Sequence, residues 1–168
     1  MEYNLVELVP SEQIGLHSQP GWELSYILEG RGIRTVGDTE SPFAEGDMVL
    51  VIPEMPHCWR FEESPGSGIR NITLTFGRDF LDRAAALPGF GEVAERLNGM
   101  TESVEITGGT RSDIAGLLLQ MQDEDHAGRT ASALRILSMI GSGRDGTVAG
   151  RFRKSAARSG SGRRERLS

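Results

Sequence analysis

The sequence predicts a mainly β fold, a small barrel or jelly roll, followed by a short antiparallel helical subdomain. Three observations predict it. Apolar residues recur with period two before Gly77, in short runs broken by glycine and proline; the period lengthens to that of a helix after Gly77; and sizeable apolar residues almost vanish after Gly143. The expected boundaries are 1–77 for the barrel, 78–143 for the helices and 144–168 for a disordered basic tail. At 168 residues the chain has the length of one ordinary domain, enough for a single core.

Element by element, residues 4–9 (NLVELV) read as a leading strand. From Trp22 the chain alternates, with Trp22, Leu24, Tyr26 and Leu28 on one side and Glu23, Ser25, Ile27 and Glu29 on the other. Either set can line an interior, but not both. "EGRG" is a turn before a strand at 33–36, and "GDTESP" reads as a second turn. "MVLVIP" is apolar on both sides, as a buried strand requires. "HCWRF" follows, then a loop at 64–68, then "IRNITLTF", which sets Ile72, Leu74 and Phe76 against Asn71, Thr73 and Thr75.

Beyond Gly77, "RDFLDRAAAL" and "GEVAERLN" are helical and "SVEIT" is one brief strand. Thr110 and Asp113 have the spacing of a capping box, and Ile114, Leu117, Leu118 and Met121 follow at i, i+3, i+4 and i+7. A last helix, about 130–140, directs Leu134, Leu137 and Met139 or Ile140 inward. Residues 110–140 therefore predict an antiparallel pair. Its helices either pack on the barrel alone or also offer their outer faces, Leu119 prominent among them, as a homodimer seam.

The net charge of −6 hides an asymmetry: residues 1–143 carry −12 and residues 144–168 carry +6. An acidic body repels nucleic acid, so any phosphate contact would come from the tail. Nineteen of the 25 tail residues are Arg, Lys, Gly, Ser or Ala, too few apolar groups to offset ordering entropy. One cysteine, Cys58, excludes an internal disulfide. The first residues have no basic and apolar leader pattern, and no run approaches the ~18 apolar residues of a membrane span. A cytoplasmic protein without a membrane partner is expected.

The chemistry-bearing residues fall into a pattern: His17-x-Gln19-x-x-x-Glu23-x6-Gly30, then Gly46-x6-Pro53-x-x-Pro56-His57. This resembles the two motifs of the cupin family, and the resemblance implies a cupin-type barrel in which His17, Gln19, Glu23 and His57 hold the metal-ligand positions. Three match in type. Gln19 departs, its amide oxygen being a poor ligand for a first-row transition metal; Met55 and Phe61 depart from the second motif. Each residue also has an ordinary role open to it: His17 at a strand edge, Glu23 solvated on a strand, His57 bonded to a main-chain carbonyl. The expectation is a polar pocket without cofactor, with a divalent metal as the alternative. His17, Trp22, Glu23, Tyr26, Arg34, His57 and Trp59 are the candidate ligand-binding residues, since flat apolar faces beside hydrogen-bonding groups suit a small polar ligand.

A longer stretch, "ELSYILEGRGIRTVGDTESPFAEGDMVLVIPEMPHCWRF", is followed by "RDFL", "LPGF", a V-x-I-x-G strand and two helices. From His17 to Ile140 it resembles the sensor domain of AraC-type transcriptional regulators. The resemblance implies a barrel that senses a small-molecule effector, often a sugar, and helices that mediate dimerisation. It also implies DNA binding through a separate helix-turn-helix module, for which residues 144–168 show no pattern. The alternative is a metal-dependent cupin enzyme, a dioxygenase or sugar isomerase, using His17, Glu23 and His57.

Overall fold

A computed structural model describes residues 1–63 and 68–152. Residues 64–67 of the expected loop and 153–168 of the expected tail lie outside them. Strands β1 (Glu2–Leu8), β2 (Trp22–Glu29), β3 (Gly32–Val36), β4 (Thr39–Phe43), β5 (Met48–Val51), β6 (His57–Phe61) and β7 (Ile69–Phe76) precede helices α1 (Arg78–Ala85) and α2 (Gly91–Asn98). Strand β8 (Glu102–Ile106), helices α3 (Gly108–Gln120) and α4 (His126–Gly141) and strand β9 (Gly146–Arg151) complete the described chain. One sheet runs β1-β7-β2-β5-β8-β9, the other β4-β3-β6, and every paired strand is antiparallel. The fold is a cupin-type jelly roll with its sheets left open, followed by helices. None of the described helices is long and apolar enough to cross a membrane.

The larger sheet has two unlike faces, and the alternation of β2 and β7 creates them. Trp22, Leu24, Ile72 and Leu74 are at most 1% exposed and share one cluster with Leu81, Leu97, Ile114, Leu118, Met121, Ile136 and Leu137 from the helical part of the chain. Burying each such leucine or isoleucine contributes about 1.5–3 kcal/mol. The helices therefore pack against this face, outside the sandwich. Trp22 stacks on Phe76 with centroids 5.4 Å apart, and the Arg78 guanidinium covers the indole at 5.5 Å. Tyr3 reaches across from β1 and donates its hydroxyl to the Leu118 carbonyl at 2.8 Å.

Four expectations need correction. "GDTESP" is no simple turn: only Gly37 and Asp38 turn, and Thr39–Phe43 pairs with β3 in full register. The barrel does not end at residue 77, because β8 joins β5 and β9 joins β8. The tail is ordered through Arg151, since counting side chains overlooks the main-chain hydrogen bonds that the open edge of β8 offers. The Thr110 and Asp113 capping box is not used either. Helix α3 starts at Gly108 after Thr107, and Asp145 approaches from the β9 side to accept from the Thr110 main-chain N–H at 3.2 Å and its hydroxyl at 3.0 Å.

Helix α4 likewise starts earlier than its apolar pattern suggests, because the Asp125 side chain caps it by accepting from the Gly128 N–H at 2.8 Å. Ala133, Ile136 and Leu137 form its buried side, whereas Leu134, Met139 and Ile140 are half-buried. On α3 the expected stripe of Ile114, Leu117, Leu118 and Met121 is buried, and Leu119 is 45% exposed.

Strand β9 crosses close to β3. A Cβ on Gly37 (φ +56) would lie 2.0 Å from the Arg151 carbonyl oxygen, and one on Gly150 would lie 2.0 Å from that of Val36. Only glycine allows this approach. Asp38 and Arg151 then exchange hydrogen bonds: the Asp38 N–H donates to the Arg151 carbonyl at 2.8 Å, and the Arg151 N–H donates to the Asp38 carboxylate at 3.0 Å.

Candidate functional site

The other face of the large sheet looks into the sandwich, and register defines it row by row. Glu2, Thr75 and Glu23 stand opposite one another across β1, β7 and β2. Asn4, Thr73 and Ser25 form the next row, then Val6, Asn71 and Ile27, and Leu8 pairs with Ile69 beyond. These residues floor a cavity of about 590 Å³, within the range of small-molecule sites. Trp59 and Phe61 of β6, with Gln13, Ile14, His17 and Gln19 of the β1–β2 connection, form its other walls.

At the acidic end of this floor, three candidate residues converge. His17 and His57 form an isolated bridge between their main chains, with the His57 N–H donating to the His17 carbonyl at 2.8 Å. Their rings lie 4.4 Å apart, and ligand atoms of His17, Glu23 and His57 lie within 4.8 Å of one another. His17 Nδ1 is 2.9 Å from the Gly15 carbonyl and His57 Nδ1 is 2.8 Å from that of Met55. A carbonyl only accepts, so each Nδ1 carries a proton, and a ring in its neutral form then has its lone pair on Nε2. That is the orientation in which histidine binds metal, and the donor set of two imidazoles and one carboxylate fits a divalent ion. Gln19 lines the same cavity, and its main-chain carbonyl accepts from the Glu54 N–H at 2.8 Å.

His57 Nε2 is fully buried, has no hydrogen-bond partner among the described residues, and lies 3.7 Å from Glu23 Oε2. With neutral His57 these are two acceptors facing each other. Burial pulls the imidazole pKa down, but the Glu23 carboxylate and the Met55 carbonyl outweigh it and hold it above the usual value.

Trp22, Tyr26, Arg34 and the fully buried His57 do not line the cavity. Trp22 and Tyr26 share the helix-covered face of β2, for the alternation that puts Glu23 inside puts its neighbours outside. Arg34 is inside the sandwich but spent elsewhere: its guanidinium, 3% exposed, is bonded to Asp47 and Glu105, tying β3 to the turn before β5 and to β8. Burial raises the Asp47 carboxyl pKa against the pull of Arg34. The polar floor residues Asn4, Ser25, Asn71, Thr73 and Thr75 are absent from the expected set. For Ser25, Asn71, Thr73 and Thr75 the signal was the polar half of the β2 and β7 alternation, readable once that half is allowed to face inward.

An open jelly roll in which the stretch before its second strand, that strand and its sixth strand bring two histidines and a glutamate together has the arrangement of a cupin-type fold. In agreement, residues 4–66 match the family model described as Cupin domain. Among solved structures, the AraC-like transcriptional activator CuxR is similar over 83% of this chain and 51% of its own, with 15% identity and a TM-score of 0.51. FeII HppE is similar over 44% of this chain and 41% of its own (19% identity, TM-score 0.38), and TT1209 from Thermus thermophilus over 45% and 70% (26% identity, TM-score 0.40). The chain thus spans about two fifths of HppE and half of CuxR. No curated protein sequence matches it.

Proposed function

We propose that this chain is the effector-sensing and association part of an AraC-type transcriptional regulator. The observation that carries the reading is the division of labour in the large sheet. One face floors a ligand-sized cavity and the opposite face carries the helical layer, so a molecule bound inside touches the same strands, β2 and β7, that support the helices. The likeness to CuxR, which extends through barrel and helices together, supports the same layout. A ligand that favours one arrangement of the helices shifts its population by its difference in affinity, and an attached DNA-reading module would respond.

The helices would pair two copies through their outer faces, with Leu119 at the seam. Sedimentation equilibrium tests this: a dimer is expected, and Leu119→Glu should give a monomer with unchanged circular dichroism. A monomeric wild-type chain would remove the association half of the proposal.

A second reading, a metal-dependent cupin enzyme, is favoured by the convergence of His17, Glu23 and His57 with both Nε2 atoms free. A divalent metal held there would act as a Lewis acid or redox centre. Elemental analysis separates the two. Stoichiometric iron, manganese or zinc that disappears in Glu23→Ala would favour the enzyme; a trace content indifferent to that change favours the sensor.

A further inference from the structure

The rows of the cavity floor form a gradient. The first contains two carboxylates, Glu2 and Glu23, flanking Thr75; the second is neutral and polar, Asn4, Thr73 and Ser25; the third and fourth are largely apolar, Val6, Ile27, Leu8 and Ile69 around Asn71. Successive rows are two residues apart, so the floor passes from anionic to apolar over roughly 20 Å. The aromatic residue Phe61 also lines the cavity. Among the described residues, no lysine or arginine lines it. The buried guanidinium of Arg34 is already bonded to Asp47 and Glu105.

From this gradient we infer that the cavity takes an amphipathic amine: a cationic ammonium head at the Glu2 and Glu23 row and an apolar, preferably aryl, tail toward Ile27, Ile69 and Phe61. This deepens the sensing reading and rests on it. Two physical reasons point to an ammonium at the acidic end. An anionic ligand would meet two carboxylates with no lining lysine or arginine side chain to offset them, and a neutral polyol would leave the apolar rows without a partner. In addition, Glu23 itself lines the cavity, whereas His57, 3.7 Å from Glu23 Oε2, is fully buried behind the lining. An ammonium group at this row supplies N–H donors to the Glu2 and Glu23 carboxylates, as charge-assisted hydrogen bonds.

The test is a matched series on the metal-chelated chain by titration calorimetry: 4-phenylbutylamine, 4-phenylbutanol and 4-phenylbutyrate, closely matched in tail and differing in head. The amine should bind at least about tenfold more tightly than the alcohol, and the carboxylate should not bind measurably. Glu23→Gln should reduce the amine to the level of the alcohol. Because Glu23 also faces a buried histidine, Glu2→Gln is the companion variant: Glu2 is exposed on an edge strand, so the fold tolerates the change, and it should weaken the amine alone. Equal or tighter binding of the alcohol or the carboxylate, or no binding by any of the three, overturns the amine assignment. A cavity that instead binds a neutral sugar, with no response to Glu2→Gln, rejects the amine while leaving the sensing role intact.

Discussion

The two faces of the six-stranded sheet differ by a single step along each strand, yet they do unlike work. Leu74 is fully buried beneath the helices, while its neighbour Thr73 sits in the second row of the cavity floor. Leu24 and Ser25 repeat the contrast on β2. Apolar alternation thus locates a packed face without saying that it is the inside of the barrel. Here the apolar set faces outward onto helices and the polar set faces inward onto a cavity. An amphipathic strand in this setting separates a stabilising surface from a recognising one, and the two can be altered independently.

The largest effect should come from the packed face. Leu74→Ala is expected to lower the unfolding free energy by about 2–5 kcal/mol, through lost burial and the cavity it leaves. Thr73→Ala, one residue away, should cost less than about 1 kcal/mol while weakening ligand binding in the cavity. Urea unfolding of both variants, with calorimetry on the second, measures the contrast. Equal destabilisation would mean that the two faces do not divide the work.

An intermediate effect should appear at the sheet's far edge, which is held by main chain more than by side chains. Gly150→Val forces a Cβ against the Val36 carbonyl, and β9 should detach at a cost of about 1–3 kcal/mol. Hydrogen exchange would then show lost protection across β8 and β9, with β1, β7 and β2 unchanged. Retained protection in β9 would show that the strand can shift without leaving the sheet.

The smallest effect concerns His57. Its folded pKa lies above the unfolded value, so the folded state holds that proton more firmly. The stabilisation is complete below the unfolded imidazole pKa of about 6.5 and is lost as pH rises through the higher folded value. Nuclear magnetic resonance should find the ring titrating above its usual range, and Glu23→Gln should lower that midpoint. A midpoint at or below the usual value would show that burial outweighs the Glu23 carboxylate.

Much of this was legible in the sequence, and for reasons specific to each element. Strands β2, β6 and β7 announce themselves because period-two alternation is a local property. His17, Gln19, Glu23 and His57 were singled out by the resemblance to the cupin motifs, and the structure brings the ligand atoms of His17, Glu23 and His57 together. The assignment of Trp22, Tyr26 and Arg34 to the cavity failed because a strand's two faces cannot be ordered without knowing what covers each. Arg34 in particular meets Glu105 across 71 positions of chain, a pairing no local pattern carries. Strand β9 was missed for a related reason: its residues pack little, and what places it is the edge of β8, Gly37 beneath its carbonyl and Asp38 beside its amide.

The position of β9 also orders events during synthesis. Asp38 meets Arg151 across 113 positions, so the sheet that floors the cavity is completed by nearly the last residues described. As the chain emerges from the ribosome, β5 waits with a bare edge until β8 arrives, and β8 waits in turn for β9. At about 5–20 residues per second each wait lasts seconds, long compared with the microseconds to milliseconds of strand pairing. Throughout that time the nascent domain presents hydrogen-bonding groups to whatever strand comes near, including those of a neighbouring nascent chain. An edge left open in this way is the kind of surface that aggregates unless shielded, and it closes only when the residues up to 151 are available to pair.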